Sequence, residues 1–235
     1  MDLTSLRTTF RSRSGRMDLA DAEVDYYLNA GQRWLDAQVS HPKATARAFK
    51  QVKAGAVGVT FSATCRVIER VEVANRESRT KLEKREVEEL RAAYPGMFSS
   101  LGQGRPLYWM PALLRTNPDV LSVADLQVYL GYLDALVGVD YGYNGVILYP
   151  PADGEYVVEV TGKFFSPQLG GDNSGSWWAE VQPHLLLMAA RRALEVDYRN
   201  REGVQDWEAA MASELSAIEG DMAEQESIGV RRMRG

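Results

Sequence analysis

Apolar residues recur every three or four positions near both ends of this chain and every second position through its middle. A helical stripe and a pleated strand need different backbones, so the two periods belong to different elements. The order helices, strands, helices predicts an α+β fold. A helical bundle is made by both chain ends, with an antiparallel β domain inserted between them. The expected divisions are 1–42 for the first bundle helices, 43–172 for the insert, 173–226 for a closing helical hairpin and 227–235 for a basic arm.

The first helix is short. Leu3, Leu6 and Phe10 give its stripe, Asp2 or Thr4 opens it, and Gly15 closes it. In "LADAEVDYYLNAGQRWLDAQV" the residues Val24, Tyr27, Leu28, Gly31, Trp34, Leu35 and Val39 form a longer stripe, with Asp18 or Asp21 as the expected N-cap. His41-Pro42 ends it, because the residue before a proline is pushed out of the α region.

From residue 55 the period becomes two. Val57, Val59 and Phe61, then Cys65, Val67, Val71 and Val73, alternate with polar partners that include Arg66, Arg70 and Glu72. The charged connector "NRESRTKLEKREVEELRAAYPG" balances its signs and predicts a solvated face with a short helix stopped at Pro95-Gly96. "GQGRPLYWM" reads as a turn into an aromatic strand, and Leu126, Leu130 and Leu133 suggest a helical stretch. "YNGVILYPPADGEYVVEVTGKFF" predicts a hairpin, with 146–149 and 156–165 flanking a Pro-Pro-Ala-Asp-Gly loop.

Two helices follow. The first carries Trp178, Val181, Leu185, Met188 and Arg192, with Leu186, Ala189 and Ala193 beside them, and Pro183 kinks it or marks its true start. The second carries Val204, Trp207, Met211, Leu215, Ile218 and Met222. The short link between them predicts an antiparallel pair. Trp34, Leu35, Trp177, Trp178, Leu185, Trp207 and Leu215 are the expected bundle core or subunit interface, and Trp207 is expected to behave as a core residue. The Trp177-Trp178 pair is expected to be the hinge where the chain re-enters the bundle.

Composition narrows function mainly by exclusion. Of 235 residues, 45% are hydrophobic and 25% charged, which is globular composition, and the single cysteine cannot form an internal disulfide. An intracellular or assembly setting is expected. No apolar run approaches the roughly 20 residues of a membrane-spanning helix, so neither a membrane span nor a signal peptide is expected. The net charge of -5 hides basic ends: four arginines against Asp2 in 1–16, and three arginines with no acid in "SIGVRRMRG". The body between them is strongly acidic, which argues against a nucleic-acid groove.

Catalytic signatures are missing: His41 and His184 stand alone, and no HExxH, GxSxG or phosphate loop occurs. Cys65 falls in register with valines and reads as a buried small hydrophobe, and His184 as a partly buried structural histidine. The acidic pairs Glu155 with Glu159, and Asp134 with Asp140, read as surface acids. No metal or cofactor site is expected.

The order of "LTSLRTTFR", "DAEVDYYLNAGQRWLD", "VTFSATCRVIERVEV", "GQGRPLYWM", "GVILYPPADGEYVVEVTGKFF" and the W…P-LLL helix with its W…L partner resembles the head-to-tail connector adaptors of tailed bacteriophages. The resemblance implies a non-enzymatic ring, usually dodecameric, beneath the portal at the virion neck, assembled from subunits made in the host cytoplasm. The implied partners are the portal ring, a tail or nozzle protein and further copies of the chain, with DNA passing through without sequence-specific binding. It also implies that the C-terminal segment docks on the portal, here through Ile228, Val230, Arg231, Arg232, Met233 and Arg234. Residues 117–141 depart from the pattern as an insertion. A stopper or tail-completion protein is the nearest alternative. A carbohydrate-binding or hydrolytic β domain, suggested by Tyr108, Trp109, Tyr141, Tyr143 and Tyr149, is the alternative from another class.

Overall fold

A computed structural model describes residues 1–56, 58–61, 64–86, 88–89, 102–111, 145–171, 173 and 175–231, with side chains described through 224. It is an α+β protein of two compact units. One joins Met1–Ala44 to Phe165–Gly235, and the other is Thr45–Phe164.

The first unit is helical. α1 (Leu3–Ser14) starts where the Asp2 carboxylate accepts the Ser5 N–H at 2.7 Å and stops at Gly15, whose φ of 69° is the left-handed conformation that suits glycine. α2 (Asp21–Gln38) is capped differently from expectation. Asp18 is held by Arg16 and Asp21 by Arg7 and Arg11, so the N-cap is Ala20, whose N–H donates to Glu23 at 2.8 Å. Ser176 caps the short α3 (Trp177–Val181), and Pro183 opens α4 (Pro183–Asp197) at the position where its missing N–H costs nothing. α5 (Arg201–Arg231) continues past the expected boundary at 226.

α4 is the central helix and packs on α1, α2, α3 and α5. Its run Leu185 to Ala190 is buried throughout, which explains why the sequence shows two adjacent apolar stripes instead of one. α2 approaches it closely because residue 31 is glycine: a Cβ there would lie 2.5 Å from the backbone nitrogen of Ala190. Val181, expected on the packed stripe, is 53% exposed because the break before Pro183 turns α3 out of register with α4.

The second unit has two four-stranded sheets. Its strands are β1 (Thr45–Val52), β2 (Gly58–Thr60), β3 (Cys65–Ala74), β4 (Arg79–Lys81), β5 (Glu83–Lys84), β6 (Tyr108–Pro111), β7 (Gly145–Tyr149) and β8 (Tyr156–Phe164). The first sheet has the order β1-β8-β3-β4 and the second β2-β7-β6-β5. The strand pairings are antiparallel except β5 with β6, and the isolated bridge of Gly104 to Ala152 is parallel too, so the insert mixes the two senses and is not purely antiparallel. Val71, Val73, Val158 and Val160 of the first sheet share a core with Val59, Trp109, Val146 and Leu148 of the second.

Three further expectations change here. β7 and β8 do not form a hairpin, because β7 lies in one sheet and β8 in the other. Pro150 and Pro151 have no N–H to close a ladder, and the loop bonds elsewhere: Ala152 donates to Ala56 O at 3.0 Å, and Gly104 donates to Pro151 O at 2.8 Å. The alternation of β3 is broken by bulges between Cys65 and Val67 and between Ile68 and Arg70, which turn Val67 outward. The Val67 carbonyl then sits where a Cβ of residue 162 would be, so only glycine fits there. Residues 79–84, expected in a solvated connector, supply β4 and β5. The predicted helices near Pro95 and Leu130, and the 117–141 insertion, lie outside the described residues.

Candidate functional site

Asp36, near the end of α2, is buried and accepts three hydrogen bonds. Trp178 Nε1 donates at 2.7 Å, the Ser166 N–H at 2.7 Å and Ser166 Oγ at 3.0 Å. His41 Nε2 stands 3.2 Å from the same carboxylate, and its ring stacks on Trp177 with centroids 4.7 Å apart. Burial pushes the Asp36 pKa up, but His41, Trp178 and Ser166 together outweigh it and hold the group below its ordinary value.

Aspartate, histidine and serine meet here without the geometry of a nucleophilic triad. The serine hydroxyl donates to the carboxylate and not to the imidazole, and the aspartate and histidine are both buried while Ser166 is half-buried. Their arrangement is mechanical. Asn29, Gln32 and Asp36 share one face of α2 at spacings of three and four. Gln32 Nε2 donates to Pro167 O at 2.8 Å, and Asn29 exchanges 2.8 Å bonds with Leu169 in both directions. These side chains fasten the returning segment Ser166–Leu169 along the helix. The chain therefore re-enters the helical unit at Phe165, ahead of the tryptophan pair expected to be the hinge. Trp178 lies in the core instead.

A second set of contacts joins α4 to its neighbours. Arg192 lies 4.7 Å over the Trp34 ring and donates to Glu208 at 2.7 Å, and Arg191 lies 4.2 Å over Trp207. Leu35, Trp178, Leu185 and Leu215 are buried, whereas Trp34, Trp177 and Trp207 are half-buried. Trp207 is thus less enclosed than the core residue expected. Between α2 and α5 runs a groove of about 490 Å³ lined by Trp34, Val39, Ala212, Leu215, Ser216 and Glu219. Ile228, Val230 and Arg231 fall on the last turns of α5, and Arg232, Met233 and Arg234 lie outside the described residues.

The remaining candidates fall apart. His184, on the first turn of α4, is exposed and not partly buried. Glu155 is exposed, while Glu159 is buried under Arg79 and Arg47, contrary to the expectation of a surface acid. Cys65 is buried, and burial pushes its thiol pKa up, away from reactivity. Among the described residues, no group of three His, Cys, Asp or Glu could hold a metal ion. Trp109 is core, Tyr108 stacks on Tyr149, and Tyr141, Tyr143, Asp134 and Asp140 lie outside the described residues.

The family model of the SU10 adaptor protein matches residues 1–234. The chain belongs to the SU10 adaptor family. That is a family of phage head-tail adaptors, so the role of this member is that of a structural phage adaptor, and its place is the virion neck. No curated protein matches it. Among the described residues, no helix of this adaptor is long and apolar enough to cross a membrane.

Proposed function

We propose that this adaptor assembles as a ring beneath the portal and bridges the capsid to the tail without catalysing a reaction. The family match along nearly the whole chain carries this reading. The helical unit forms the body of the ring, and DNA passes its channel without sequence-specific contact. The acidic body of the chain suits that passage, because each phosphate met by a lysine or arginine strengthens DNA binding.

The end of α5 is the portal-docking element in this proposal. Its sequence changes there from acidic to "SIGVRRMRG", with apolar Ile228, Val230 and Met233 among Arg231, Arg232 and Arg234. Such a segment offers both apolar area and charge to a partner. Copurification with portal, followed by native mass measurement, tests the proposal. A stable complex with a closed set of adaptor copies is expected. Deleting 227–235 should abolish it while leaving the helical unit folded, and undiminished attachment would refute the docking arm.

A further inference from the structure

We infer that the outer face of the first sheet docks the outer face of α5 from a second copy of the chain. The inference rests on the ring reading above and names one contact that builds the ring.

Register defines the sheet face. Opposite residues on neighbouring strands point the same way, so four rows face away from the core: Gln51, Val157, Ala74 and Arg79; Phe49, Glu159, Glu72 and Lys81; Arg47, Thr161 and Arg70; Thr45, Lys163 and Val67. Five cations stand there against two carboxylates. Glu72 and Glu159 are directly opposite each other, and Arg79 bridges both of them, while Arg47 and Arg70 add contacts at 3.5 and 3.2 Å. The central acids are thus already met, and the face keeps a cationic surplus.

Apolar groups are exposed among those cations: Phe49 is 58% exposed, Val67 48% and Val157 40%. Exposed apolar side chains interleaved with arginine are the composition of a protein interface core. With Phe49, Val67 and Val157 exposed among the cations, the face suits a partner that brings apolar area along with its acids better than a bare phosphate backbone. Pairing along the β1 edge is also disfavoured, because that strand carries the charge of Lys50, which donates to Thr60 O at 2.8 Å.

The complementary surface is on α5. No lysine or arginine occurs between Glu202 and Val230. Asp206, Ala210, Glu214, Ala217 and Asp221 are exposed and succeed one another at spacings of three and four, placing acids around a small apolar centre. From Asp206 to Asp221 the helix rises about 22 Å, and β8 from Val157 to Lys163 spans roughly 20 Å, so one lies along the other. Neither face can pair with itself, since like charges would meet. Joining the two between copies is therefore head-to-tail, the arrangement that closes rings.

The test uses the full chain carrying Phe49→Cys and Ala217→Cys, incorporated into virions and treated with a short bismaleimide. Both positions are exposed, and the native Cys65 is buried. Cross-linking within one chain adds no step in mass, so only contact between copies produces a ladder. Bands beyond the dimer are expected for the double variant and absent from either single variant. Bands that stop at the dimer, or that join the chain only to another virion protein, overturn the inference. Absence of the chain from virions would instead refute the adaptor reading, which separates the two failures.

Discussion

The indole N–H of Trp178 donates to Asp36 Oδ1 at 2.7 Å, joining residues 142 positions apart in sequence. The same carboxylate holds Ser166 and faces His41, so one side chain gathers three separate segments of the helical unit. Asp36→Ala leaves the buried Trp178 indole N–H and the half-buried Ser166 N–H without their acceptor. A loss of about 3 to 5 kcal/mol is expected in urea unfolding. Asp36→Asn, which keeps an acceptor, should lose less.

Acid should weaken the protein partly through this group. The folded pKa of Asp36 lies below its unfolded value, so the unfolded state binds its proton first as pH falls. The stabilisation is complete above the unfolded value of about 3.9 and is lost as pH falls through the lower folded value. Thermal melts of Asp36→Asn should therefore depend less on pH below about 4 than those of the parent.

Gly31→Ala puts a methyl group 2.5 Å from the Ala190 backbone nitrogen. The gain in helix propensity of about 1 kcal/mol is outweighed, because backbone cannot rotate aside as a side chain can. A net loss of roughly 1 to 2 kcal/mol is expected, measured by chemical denaturation.

Arg79→Ala leaves Glu72 and the buried Glu159 facing each other across β3 and β8. A loss of roughly 1 to 2 kcal/mol is expected, moderated because the guanidinium is half in water. Adding Glu159→Gln should recover part of it, and the double-mutant cycle gives the coupling.

Trp207 is half-buried beneath Arg191, so Trp207→Ala should cost about 1 to 3 kcal/mol, less than the about 3 to 5 typical of an enclosed aromatic. Arg191→Ala should show the cation-π share of that loss.

The helices were legible because their signals are local: Asp2 and Gly15 cap α1, and Pro183 starts α4. Strand partnership was not, since alternation places a residue on a face without saying which sheet owns it. β7 and β8 are adjacent in sequence yet belong to different sheets. The bulge that exposes Val67 depends on Gly162 of a distant strand. The polar ladder of α2 does leave a trace in the sequence, for Asn29, Gln32 and Asp36 keep a helical spacing of their own beside the apolar stripe. Their partners in 166–169 carry no pattern that announces them.

The helical unit is made from the two ends of the chain, and this imposes a delay during synthesis. α1 and α2 leave the ribosome with their apolar faces complete, but α4, which covers them, follows only after Thr45–Phe164 has been made. At about 5 to 20 residues per second, that interval is on the order of ten seconds. Throughout it Leu28, Leu35 and Phe10 have only each other, so this adaptor is most open to aggregation, and most in need of a chaperone, before its last third exists.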